Sequence, residues 1–226
     1  MKKRLIIAID GPAASGKSTT ARLLARKLGY VYLDTGAMYR ACALQLVRTG
    51  ISLDNAPAIE AMLKDLDIRV ETSGTENRIL LGAEDVSQAI RANEISQLAS
   101  GVSALPAVRH RMVELQRAMA AGGGYILDGR DIGTYVFPDA DLKFFLTAAP
   151  EIRARRRWLE LKNKGQEKAF EHIFAEIQER DHNDSNRSLA PLAVAEDAIV
   201  VDNSELSIDQ QVESLLALVL KKLEER

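Results

Sequence analysis

A single cysteine, Cys42, stands in 226 residues, which excludes an intramolecular disulfide. It fits a reducing compartment, and a lone thiol of this kind reads as core filler. Of the three histidines, His110, His172 and His182, none has metal-ligand spacing, so a zinc site is not expected. Charge of one sign is missing as well: thirty basic residues face thirty-two acidic ones, without the positive excess of a general nucleic-acid surface. Long apolar runs are absent. Met1-Lys2-Lys3-Arg4 is charged like the start of a signal peptide, but the apolar run after it is short and breaks at Asp10-Gly11. The expectation is a soluble, cytoplasmic protein, monomeric, with small molecules rather than nucleic acid or membrane as partners. A chain of this length buries roughly 70% of its unfolded surface, enough for one core with a small inserted lobe and no covalent staples. It contains no repeat and no low-complexity segment.

What is present is dominated by Gly11-Pro12-Ala13-Ala14-Ser15-Gly16-Lys17-Ser18, which matches G-x-x-x-x-G-K-S/T in full. Leu5-Ile6-Ile7-Ala8-Ile9 before it reads as a strand buried on both faces of a parallel sheet. Residues 20–28 after it carry Leu23, Leu24 and Leu28 at helical spacing and stop at Gly29. Between a strand and a helix, the glycines let the backbone wrap an anion, the N–H groups point at it, Lys17 adds positive charge and Ser18 would hold a magnesium ion.

The rest of the chain alternates strand and helix. Tyr30-Val31-Tyr32-Leu33 reads as a second strand, closed by Asp34-Thr35-Gly36, with a helix over residues 37–48. Asp34, Thr35, Tyr39 and Arg40 then emerge at the carboxyl end of a strand, where open α/β sheets bind ligands. Ile68, Val70 and Thr72 alternate with polar residues, Gly74 to Asn77 turn the chain, and Arg78-Ile79-Leu80-Leu81 returns, a hairpin within an inserted lobe at about residues 59–90. Residues 93–104 and 108–119 read as helices separated at Pro106. Tyr125-Ile126-Leu127-Asp128, residues 142–146 and residues 198–201 complete five parallel strands, covered by helices from Glu151 and Glu167 and by a last one with Val212, Leu215, Leu216, Val219 and Leu223 on one face.

Three clusters carry chemistry. At Asp128-Gly129-Arg130-Asp131, Asp128 stands where an acid supporting magnesium belongs and Arg130 has the fork geometry for phosphate; the alternative is a surface pair at a turn. Arg153, Arg156 and Arg157 share a helical face beside Arg155. They read either as a solvated surface or as a lid, residues 153–166, that swings arginines over a transferring phosphoryl group and flexes at Lys162-Asn163-Lys164-Gly165. Arg180, Asp184 and Arg187 lie at offsets of four and seven, either a plain ion pair or a ligand-facing element crowded by Asp181, His182, Asn183 and Asn186.

Taken in order, GPAASGKST, LDTGAMYR, ILDGRDIGTYVFPDA and ERDHNDSNRSLAPL resemble bacterial cytidylate kinases over nearly the whole chain. The resemblance implies a three-layer P-loop kinase fold, one domain over residues 1–226, with a five-stranded parallel sheet, the hairpin lobe as monophosphate-binding insert, and a short lid. It implies that Gly11, Pro12, Ala13, Ala14, Ser15, Gly16, Lys17, Ser18 and Thr19 bind ATP, with Mg2+ at Ser18 and Asp128. Thr35, Tyr39, Arg40, Ser100, Arg109, Arg130, Asp131, Arg180, Asp184 and Arg187 would surround CMP or dCMP, with Ser100, Arg109 and Asp131 at the cytosine and Asp184 at the ribose. Lys17, Arg130, Arg153, Arg157 and Asp128 would act in catalysis. The acceptor is already ionised, so positioning and charge neutralisation suffice without a strong base. The rivals are a kinase for another monophosphate or small metabolite, and a nucleotide-driven switch or binding module.

Overall fold

The computed structural model describes residues 4–73 and 76–225. The charged start Met1-Lys2-Lys3 and the Gly74-Thr75 turn lie outside them. In chain order the elements are β1 (Ile6–Asp10), α1 (Lys17–Leu28), β2 (Val31–Asp34), α2 (Thr35–Thr49), α3 (Ala56–Lys64), β3 (Ile68–Ser73), β4 (Glu76–Leu81), β5 (Glu84–Asp85), α4 (Asn93–Ala104), α5 (Pro106–Ala120), β6 (Tyr125–Gly129), β7 (Leu142–Thr147), α6 (Pro150–Asn163), α7 (Phe170–Asn186), β8 (Ile199–Asp202) and α8 (Ile208–Glu224). The parallel sheet has five strands in the order β2-β6-β1-β7-β8, with β3-β4-β5 as a separate antiparallel sheet. The chain divides into two compact units, residues 1–30 with 124–226, and residues 31–123.

In the first unit β1 is the central strand. It pairs in parallel with β6, Ile9 opposite Asp128, and with β7, Ile9 opposite Phe144. Leu5, Ile7, Ile9, Ile126, Leu127, Phe144 and Leu146 are almost wholly buried, as an apolar strand covered on both faces requires. Charges interrupt the pattern at Asp10 and Asp128 near the strand ends and at Lys143 of β7, which is buried with its ammonium paired to Asp197 at 2.7 Å. Helix α8 buries Val212, Leu215 and Val219 and starts with a capping box between Ser207 and Gln210. Helices α6 and α7 close on a small core of Ala154, Ile173 and Ile177, to which Trp158, Phe170, Phe174 and Ala14 add.

In the second unit Ile68 of β3 pairs with Leu81 and Val70 with Ile79, so the alternation is that of an antiparallel ladder with Ile68 and Ile79 inward. The short β5 follows it. Cys42 lies in the core of α2, and burial pushes its thiol up to about 12, consistent with packing rather than reactivity.

Several boundaries differ from the sequence expectation for local reasons. Helix α1 begins at Lys17, three residues early, because Gly16 takes a left-handed conformation (φ 86°) and releases the chain directly into the helix. Helix α2 begins at Thr35 because the Asp34 carboxylate accepts from the Ala37 N–H at 2.8 Å. Pro106 starts α5 instead of separating it, since proline's missing N–H costs nothing in the first turn. Asn77 belongs to β4, not to the turn, and its amide donates to the Tyr32 carbonyl. Helix α7 starts at Phe170, not Glu167, because Ala169 is extended (ψ 140°).

Candidate active site

The loop between β1 and α1 stands at the carboxyl ends of the parallel strands, the edge where such sheets bind ligands. Gly11 has φ 151°, and a Cβ there would lie 2.1 Å from the Leu146 carbonyl oxygen, so the loop can cross the end of β7 only with glycine at this point. Ala14 (φ 56°) and Gly16 (φ 86°) are also left-handed. Gly16 caps α1 without a side-chain acceptor, which leaves the first helical N–H groups for a ligand.

Lys17, Ser18, Asp128 and Arg130 lie close together in the first unit. Lys17 is buried and its ammonium donates to the Pro12 carbonyl at 2.9 Å. Burial lowers its pKa to about 7, with the Arg130 charge adding to the shift, although Asp128 opposes it. A bound polyphosphate would restore the ammonium. The Ser18 hydroxyl donates to the Asp128 carboxylate at 2.6 Å. A hydroxyl and a buried carboxylate side by side form the sparse oxygen donor set that suits a hard cation keeping most of its waters.

Beside them, Arg130 donates through Nε to Asp184 at 2.6 Å, Arg187 lies 3.4 Å from Asp131, and Arg187 and Asp184 are 4.0 Å apart. Burial by itself would raise the Asp184 carboxyl, but the charge and hydrogen bond of Arg130, with Arg180 and Arg187, hold it below the usual value. Arg180 is exposed on α7, and its charge is felt at both Lys17 and Asp184. Asp184 is therefore shared between Arg130 and Arg187 and also feels the charge of Arg180, which is more than an isolated ion pair of one helix.

The arginines of α6 separate. Arg153 is buried, donating to the Ala148 and Ala13 carbonyls at 2.9 and 3.0 Å and pairing with Asp181 at 2.6 Å. Arg156 bonds to Asn203. Arg157 faces outward to Glu160 at 2.8 Å. Arg155 and Arg157 are exposed, whereas Arg153 is buried and Arg156 half-buried against partners from the loop and the end of β8. Thr19 is exposed, whereas Thr20, buried, donates to the Gly16 carbonyl at 3.0 Å and accepts from Gln211.

In the second unit, Thr35 is buried at the start of α2 and Arg40 pairs with Asp34 at 3.1 Å. Arg109 is almost fully buried, stacked over the Tyr39 ring at 5.8 Å and donating to the Ser103 carbonyl at 3.0 Å. Ser100 is exposed on α4, and its carbonyl accepts from the Ser103 hydroxyl.

Three residues escaped the sequence reading. Asp10, at the end of β1, accepts from the Ile132 and Gly133 N–H groups at 2.8 and 2.7 Å and holds the turn after Asp131; burial raises its carboxyl to about 6. Asp181 accepts from the Ala13 N–H at 3.2 Å. Asn203 donates to the Ser15 carbonyl at 2.7 Å. Asp10 beside the loop and Asp181 inside the ERDHND block were visible as positions; nothing local marked Asn203.

Residues 7–221 match the cytidylate kinase family. The chain belongs to that family. It is 49% identical to the cytidylate kinase of Desulfitobacterium hafniense over 99% of this chain and 96% of the relative, and 50% identical to that of Syntrophotalea carbinolica over 98% and 94%. Among solved structures it resembles shikimate kinase from Acinetobacter baumannii in complex with shikimate, with a TM-score of 0.50 at 14% identity over 97% and 95% of the two chains. That likeness is one of fold alone. No described helix is long and apolar enough to cross a membrane.

Proposed function

We propose that the protein transfers the γ-phosphoryl group of ATP to CMP or dCMP, giving ADP and CDP or dCDP. The observation that carries this reading is the joining of Lys17 and the Ser18–Asp128 pair to the arginine and carboxylate group in one unit, supported by the family to which the chain belongs. The loop N–H groups and Lys17 hold the ATP phosphates. Ser18 and Asp128 would hold Mg2+, which supplies neutralisation of phosphate charge when bound. Arg130, Arg180 and Arg187 hold the acceptor phosphate, and Asp184 takes the ribose. Asp131 reads the cytosine amino group, and Thr35, Tyr39, Arg40, Ser100 and Arg109 are further monophosphate-binding residues.

The acceptor oxygen is ionised at neutral pH, so no residue needs to remove a proton from it. Positioning and opposing charge carry the reaction. Residues 59–90 serve as the monophosphate-binding insert and residues 153–166 as the lid, with Arg153 and Arg157 drawn toward the phosphates on closure. The protein acts as a cytoplasmic monomer. A panel of CMP, dCMP, UMP, AMP and shikimate, read as acceptor-dependent ADP release, tests the reading. Turnover is expected to be highest with CMP and dCMP; preference for AMP or shikimate, or ADP release independent of any acceptor, would overturn it.

A further inference from the structure

Asn203 is completely buried and follows β8, yet every polar group it carries is engaged. Its N–H donates to the Thr147 carbonyl at 2.9 Å, its side-chain NH2 donates to the Ser15 carbonyl at 2.7 Å, and its side-chain oxygen and main-chain carbonyl accept from Arg156 at 2.8 and 2.7 Å. The amide orientation is dictated by these partners: Arg156 can only donate and the Ser15 carbonyl can only accept. Rotating the amide by half a turn would break both bonds at once.

The Ser15 carbonyl and the Gly16 N–H belong to one peptide plane. The peptide is trans, so the two groups point in opposite directions. A donor that grips the carbonyl from outside the loop therefore turns the N–H inward. Gly16, with φ 86° and ψ 0°, has no side chain to resist rotation of this plane, and its own backbone freedom would let the peptide flip. The neighbouring planes have holders too: the Ala13 carbonyl accepts from Arg153 and the Ala13 N–H donates to Asp181, both from outside the loop, while the Pro12 carbonyl accepts from the loop's own Lys17. The holder of the Gly16 plane is Asn203.

We propose that Asn203, clamped by Arg156, is a positioning residue of the phosphate loop, setting the Gly16 N–H toward the polyphosphate of the donor nucleotide. The inference rests on the reading of residues 11–19 as the ATP site and does not depend on which acceptor is phosphorylated. Asn203→Asp is the sharpest variant, because it keeps shape and the acceptor for Arg156 but sets a carboxylate against the Ser15 carbonyl. Asn203→Ala removes the donor, and Arg156→Gln loosens the clamp without touching the loop.

The experiment measures binding of ATP and of base-free inorganic tripolyphosphate by calorimetry, together with KM for each substrate, on variants checked for a cooperative thermal transition. Asn203→Asp is expected to weaken both ligands by about tenfold or more and to raise KM for ATP while KM for CMP stays within about threefold. Arg156→Gln should shift the same quantities in the same direction by less. Loss of ATP binding with tripolyphosphate unaffected would assign Asn203 to the nucleobase and overturn the proposal. So would a lowered thermal transition with both affinities unchanged, or an equal rise in KM for ATP and CMP. Should wild-type protein bind tripolyphosphate but fail to use CMP, the reading of the acceptor falls and this one stands.

Discussion

Replacing Lys17 and Asp131 tests the proposed catalysis and the proposed recognition separately. Lys17 is buried, donates to a carbonyl of its own loop, and has its pKa brought down to about 7 by burial although Asp128 and Asp184 favour its charge. Lys17→Ala should leave a folded protein whose kcat falls by two orders of magnitude or more, in line with removal of a preorganised cation from a developing charge. Circular dichroism and steady-state rates on the same sample check it, and near-normal turnover would remove the loop from the chemistry. The charge of Asp131 helps to raise the Asp10 carboxyl, and Arg187 lies 3.4 Å from Asp131 with the opposite charge. Cytosine offers an amino donor that uracil replaces by a carbonyl. Asp131→Asn should therefore lower kcat/KM for CMP by about tenfold and narrow the CMP to UMP ratio. Equal losses with both substrates would mean that Asp131 serves only to hold its arginine.

Strand β1 does more than fill the sheet: its last residue sets the conformation of the turn that follows β6. Asp10 lies opposite Gly129 and accepts two N–H bonds from Ile132 and Gly133. Burial dominates these bonds and raises the carboxyl from 3.8 to about 6. A native pKa above the unfolded one means that the folded protein holds the proton more tightly between these values. The contribution of Asp10 to stability is then fully present below about pH 4 and is lost as pH rises through about 6. Urea unfolding of wild type and Asp10→Asn across pH 4 to 7 should show the stability difference moving against wild type by on the order of 2 to 3 kcal/mol. A flat difference would show that the carboxyl is ionised throughout. Helices α6 and α7 behave as a pair in the same sense: Arg153 of one and Asp181 of the other close on Ala13, and Ala14 packs against their small apolar core, so the start of α6 is tied to the loop while the rest of that helix, among the described residues, is not bonded to it.

For the molecule as a whole, a ligand that binds the folded chain raises its stability by mass action. ADP at a hundred times its dissociation constant adds about 2.7 kcal/mol, which for a protein of this size is a rise in Tm of roughly 5 to 10 °C. Lys17→Ala should lose most of that rise, while its Tm without nucleotide stays close to wild type or increases, because a buried cation has been removed. An undiminished ADP shift in the variant would place the nucleotide elsewhere.

The features legible in the amino-acid sequence are those whose partners lie within a few residues. The phosphate loop, the Asp34 cap of α2, the Ile68 to Leu81 hairpin and the clustering of Arg180, Asp184 and Arg187 follow from local conformational preference and helical or pleated periodicity. Tertiary structure alone decided which charged side chains turn inward. Asp10 meets Ile132 across 122 residues, Arg153 meets Ala13 across 140, Asp181 meets Ala13 across 168 and Asn203 meets Ser15 across 188. The arginine run of α6 illustrates the limit: spacing puts Arg153, Arg156 and Arg157 on one face, but only the loop and the end of β8 bury the first, hold the half-buried second at Asn203 and leave the third to Glu160. Periodicity specifies a face, and burial of a charge depends on whether a distant segment brings the carbonyls and carboxylates that compensate its desolvation.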